Sequence, residues 1–77
     1  MNYEESWHVQ DEITTVVNAM GYSVWGMTLN TGGYGFTVTL NERLDEEEIT
    51  VLCSQMPFSV DYDGVGTHGS VFSVYVD

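Results

Sequence analysis

Lysine is absent from this chain, and Arg43 is its only cation apart from two histidines. Set against twelve Asp and Glu, that leaves a formal net charge of −11. Direct contact with nucleic acid or an anionic membrane requires Lys and Arg against phosphates, so neither is expected as a partner. Ordinary soluble surfaces intersperse both signs, and a one-signed surface repels itself at some cost in stability. A positively charged partner, a high-salt cytoplasm or a simple demand for solubility would each account for it. The single Cys53 allows no internal disulfide and suits a reducing compartment. No apolar run approaches the roughly 18 residues of a membrane span. The opening "MNYEESWHVQ" has neither the basic nor the apolar region of a secretory leader. A cytoplasmic protein is therefore expected.

Motifs for catalysis and cofactors are equally sparse. "DYDGVG", residues 61–66, has the opening of a calcium loop. Its twelfth position, where a bidentate Glu belongs, is Phe72. "NTGGYG" is glycine-rich without the Gly-Lys-Ser/Thr of a phosphate cradle. His8 and His68 have no Cys or His at ligand spacing. Cys53 falls on an apolar helical stripe and reads as a small core residue. The acids Asp45 to Glu48 lack the desolvation that tunes a catalytic carboxylate. No metal, no cofactor and no enzymatic activity are expected.

What the chain does contain is a repetition. Hydrophobic content of 43 % with ten aromatics is that of a folded domain, and 77 residues make one. A shift of 36 residues aligns 11–41 with 47–77 without a gap. Ten positions are identical, among them Glu12/Glu48, Ile13/Ile49, Met20/Met56, Thr31/Thr67, Phe36/Phe72 and Val38/Val74. Solenoids need three or more units, so two copies suggest a duplicated unit closed by pseudo-two-fold symmetry.

Each unit reads as helix, strand, strand. Val9, Ile13, Val16, Val17 and Met20 form one helical stripe, ended by Gly21. Ile49, Leu52, Cys53 and Met56 form the second, stopped by Pro57. Asp45 and Glu48 have the spacing of an N-terminal capping pair. Two β-rich runs follow each helix, 22–29 and 34–40, then 58–64 and 70–76, joined by glycine-bearing turns. The expected fold is α+β (αββαββ), with a four-stranded antiparallel sheet ordered 1-2-4-3 and both helices on one face.

Alternation assigns Tyr22, Val24, Tyr34, Phe36, Val38, Leu40, Phe58, Val60, Tyr62, Phe72, Val74 and Val76 to the helix-covered face. The open face should then show Ser23, Trp25, Met27, Thr37, Thr39, Ser59, Asp61, Asp63, Ser73 and Tyr75. Trp25, Met27 and Tyr75 either form a contact patch there or cover the sheet of a small domain, helped by Tyr3 and Trp7 of the N-terminal segment.

Candidate partner-binding residues are thus Asp11 and Glu12 on the first helix, Asp45, Glu46 and Glu47 at the start of the second, Asp61 and Asp63 on an edge strand, and the aromatics Trp25 and Tyr75. Glu4, Glu5 and Asp77 add acids near the chain ends.

In size, acidity, missing lysine and lack of a catalytic signature, the chain resembles the small phage-encoded inhibitors, including DNA-mimicking and anti-CRISPR proteins. That resemblance is of class and rests on no family motif. It implies a stoichiometric block of a nucleic-acid-binding host protein in the host cytoplasm, such as a CRISPR complex, a restriction enzyme or a polymerase. The alternative is an interaction module, a homodimer among the options, that pairs through the aromatic open face. A haloarchaeal origin also predicts few lysines, but such surfaces carry more acid than this one.

Overall fold

The structure, a computed structural model, describes residues 2–30 and 32–76. The expected acid at Asp77 and the Thr31 of the Thr31/Thr67 identity lie outside them. Six elements follow in order: α1 (Tyr3–Ala19), β1 (Val24–Leu29), β2 (Gly35–Leu40), α2 (Glu46–Gln55), β3 (Ser59–Val65) and β4 (Ser70–Tyr75). The sheet is antiparallel throughout, ordered β1-β2-β4-β3. This is the α+β architecture expected from the sequence.

One cluster of buried side chains joins the two helices to the two central strands. Val9, Ile13 and Val17 of α1, with Leu52 of α2 and Met56 just after it, pack on Phe36, Val38, Leu40, Phe72 and Val74. Phe36 pairs with Val74 and Val38 with Phe72 across the centre of the sheet, so the buried set lies on a single face. Both helices therefore cover the same side.

α1 starts six residues before its apolar stripe. Asn2 caps it by accepting from the Glu5 amide at 2.8 Å, and Glu4 and Glu5 sit in the first turn, where the helix dipole favours acids. Tyr3 and Trp7 consequently ride on α1, on the helix side, and do not cover the open face. The stripe at Val9 was readable; the polar cap ahead of it was not.

Two bulges correct the face assignments. In β1, Val24 pairs with Leu40 but Gly26 with Thr39, leaving Trp25 as the extra residue. Every later side chain in β1 changes face, so Met27, opposite Val38, lies on the helix side with the core and not on the open face. In β3 the extra residue is Asp63, and Gly64 after it takes φ +100°, which an L side chain resists. Tyr34 is a further correction. It sits in the turn before β2, 71 % exposed, so strand alternation does not reach it.

The order of elements repeats, yet the two hairpins differ in register. Val24 pairs with Leu40, whereas Val60, its counterpart at a shift of 36, pairs with Val74 and not with Val76. The second turn is correspondingly tighter, closed by Gly66 N donating to Gly69 O at 2.9 Å.

Candidate functional site

α1 runs into β1, and α2 leaves from β2. Since Val24 pairs with Leu40, the C-terminus of α1 and the N-terminus of α2 meet at one end of the sheet. Five acids converge on that end: Glu42, Asp45, Glu46, Glu47 and Glu48.

Three of them are held. Asp45 caps α2 by accepting from the Glu48 amide at 2.8 Å, and Glu48 reciprocates by accepting from the Asp45 amide at 3.0 Å. The second oxygen of Glu48 accepts from Tyr22 Oη at 3.0 Å. Glu42 accepts from both the amide and the hydroxyl of Ser23, at 2.9 and 3.0 Å, and so ties the β2–α2 connection to the start of β1. Tyr22 is half-buried. Desolvation first, then the hydrogen bond to Glu48 and the charges of Glu48, Asp45 and Glu42, hold its phenol above its usual pKa.

The connection is pinned from below by Ser70, the one fully buried polar residue among those described. Its hydroxyl accepts from the Leu44 amide at 2.9 Å, and its own amide donates to Glu42 O at 2.9 Å. Gly69 just before it lies against the same loop, where an added Cβ would meet Glu42 O at 2.6 Å. β4 and the acidic connection are thus in backbone contact.

Glu46 and Glu47 are exposed on the first turn of α2, on a frame fixed by the capping box. With Thr50 and Val51 they line a shallow depression. At the same end of the sheet, in the β1 bulge, the ring of Trp25 stacks on His68 of the β3–β4 turn with centroids 3.7 Å apart and planes 15° from parallel.

The other expected residues lie elsewhere. Asp61 faces Ser73 on the open side of the edge strand β3, and Asp63 accepts from the Ser73 hydroxyl. Tyr75 pairs with Gly35 and Ser59 at the opposite end of the sheet from Trp25, so the two aromatics form no single patch. Asp11 borders a groove between α1 and β1, and Glu12 is exposed on α1. The structure therefore brings together Asp45, Glu46 and Glu47, sets Trp25 apart in its stack with His68, and leaves Asp11, Glu12, Asp61, Asp63 and Tyr75 dispersed.

Sequence reasoning missed Glu42, Tyr22, Ser23, Ser70 and His68 as parts of this end. Each is placed there by a contact at least 18 residues away along the chain, for which short-range spacing carries no signal. Among the described residues no group of three or more His, Cys, Asp or Glu could hold a metal ion. Burial and the charge of Asp61 push the Cys53 thiol up, which opposes the thiolate a nucleophile needs. No helix of the described residues is long and apolar enough to cross a membrane. No family model matches the chain, and neither a curated protein nor a solved structure matches it.

Proposed function

We propose that the protein is a small acidic inhibitor of the phage type, which occupies the nucleic-acid site of a host protein by presenting carboxylates where DNA presents phosphates. It acts by stoichiometric occlusion, without catalysis and without touching nucleic acid itself. The observation that carries this reading is the density of unpaired charge. The molecule measures 33 × 23 × 18 Å and bears a net −11, a one-signed field of the kind that a protein built to grip phosphates meets. The acidic end supplies the rigid part of that array, because Glu46 and Glu47 project from a capped helix.

A second reading is favoured by Trp25, which stays 55 % exposed despite its stack on His68. In that reading the protein is a non-enzymatic module that holds its partner through the open sheet face.

Affinity capture from a bacterial lysate, followed by competition with a 20-base-pair duplex, separates them. The mimic reading expects a nucleic-acid-binding prey that releases its duplex at a one-to-one ratio, with affinity falling as salt shortens the Debye length from about 10 Å at 0.1 M to about 3 Å at 1 M. Reversing Glu46 and Glu47 to Lys should weaken binding more than reversing Glu4 and Glu5, because the latter lie on the first turn of α1, at the far end of that helix from the acidic cluster. Prey that keeps its duplex, or binding indifferent to salt, overturns the mimic. Loss of binding on Trp25→Ser with those two acids irrelevant supports the module.

A further inference from the structure

Trp25 and His68 come from parts of the fold that are not neighbours. β2 lies between β1 and β4, so β1 and the β3–β4 turn share no ladder. The two rings nevertheless meet face to face. The bulge allows that reach: Val24 and Gly26 take the pairing positions beside Leu40 and Thr39, and the extra residue between them is free to be aimed elsewhere. From the other side, Gly69 sets the turn down on the end of β2, where an added Cβ would collide with Leu40 O. Gly66 N donates to Gly69 O and Ser70 N to Glu42 O, which closes the turn and fixes its exit. The backbone that carries His68 is therefore held, while Trp25 and His68 both stand in solvent.

Histidine changes its charge between about pH 5 and pH 8. A neutral imidazole on an indole is a plain aromatic stack. An imidazolium in the same place is a cation over the face of tryptophan, the aromatic ring that attracts cations most strongly. Few charged residues lie on the elements around the turn. β1 has none. The β2–α2 connection against which Gly69 packs brings Glu42, whose carboxylate accepts from Ser23, and then Arg43. β3 brings Asp63, whose carboxylate accepts from Ser73. Both carboxylates are committed to other donors, so the indole face is the partner at hand for an imidazolium.

We propose that Trp25 and His68 form a clasp tightened by protons: protonation of His68 turns the stack into a cation–π contact, draws the β3–β4 turn against the bulge of β1 and covers one face of Trp25, and deprotonation loosens it. The contribution of the cation to stability is present while His68 is protonated and is lost as pH rises through the histidine's titration. The clasp lies within one chain and needs no partner, so it stands or falls apart from the proposed inhibitor function.

A double-mutant cycle between Trp25→Leu and His68→Gln tests it, read as equilibrium constants for urea unfolding at about pH 5 and about pH 8. The coupling between the two side chains should favour the folded chain about two- to fivefold more at the lower pH than at the higher. The field of the whole molecule acts on His68 with or without Trp25 and cancels in the cycle. Coupling equal at both pH values, or greater at the higher, overturns the clasp. A second readout uses the folded chain alone. In a Trp7→Phe background Trp25 is the sole indole, and contact with an imidazolium quenches indole emission. Emission should fall on acidification over the same range, and His68→Gln should abolish the fall. Emission that does not fall, or that falls equally in His68→Gln, overturns the proposal as well.

Discussion

Ser70→Ala removes one oxygen and should loosen an entire end of the molecule. The hydroxyl of Ser70 is fully buried and accepts from the Leu44 amide at 2.9 Å. Leu44 is itself buried, so after the change its N–H has no acceptor and no access to water. Leaving a buried donor unpaired costs about 1–3 kcal/mol. A domain of this length is held by only about 4–12 kcal/mol in total. Each kcal/mol lowers the melting temperature of such a small domain by roughly 4–8 °C, so a loss of about 2 kcal/mol lowers it by roughly 8–16 °C. Circular dichroism melts measure that directly. A second readout is local: hydrogen exchange at Leu44 and at the Ser23 amide that donates to Glu42 should accelerate by more than exchange in β2 and β4. A melting temperature within 2 °C of the parent (roughly 0.5 kcal/mol by the same conversion), with Leu44 still protected, would refute the view that this one bond pins the acidic connection.

Truncating Phe36 or Phe72 to Ala removes a fully buried ring from the middle of the sheet and should cost about 3–5 kcal/mol, read as loss of cooperative unfolding by circular dichroism. Two silent truncations would mean the core lies elsewhere. The Tyr22 phenol is raised by desolvation and by Glu48, so above pH 10 the unfolded chain ionises before the folded one. Stability present below that pH should be lost as pH climbs toward the folded value. Tyr22→Phe should flatten that part of a melting-temperature profile. Cys53, with its thiol pushed up by burial, should react with iodoacetamide near neutral pH more slowly in the native chain than after denaturation. Equal rates would place it in an open environment.

Most of the architecture was legible because it rests on periodicity. Ile13, Val17 and Leu52 mark two helical stripes, and Phe36, Val38, Phe72 and Val74 alternate cleanly on central strands. The cap of α2 was equally readable, since Asp45 and Glu48 meet within one turn. Legibility failed where one inserted residue reverses a face. Nothing around Trp25 announces a bulge except Gly26, and a single extra residue sends Met27 to the core side. It failed again at the acidic end, where Tyr22 meets Glu48 across 26 residues and Ser70 meets Leu44 across another 26. Those contacts depend on which strand lies beside which, and only the assembled sheet decides that.

The partners that Glu42 and Glu48 use are hydroxyls and backbone amides. An ion pair would fix a carboxylate equally well, but it would cancel the charge and shrink its reach. A neutral donor fixes the oxygen atoms and leaves the full negative charge projecting outward. Folding therefore organises this end of the molecule without diminishing its field. An ammonium group on a long flexible stem, introduced beside Ser23 or Tyr22, would compete for those carboxylates and mute the potential that the hydroxyls preserve.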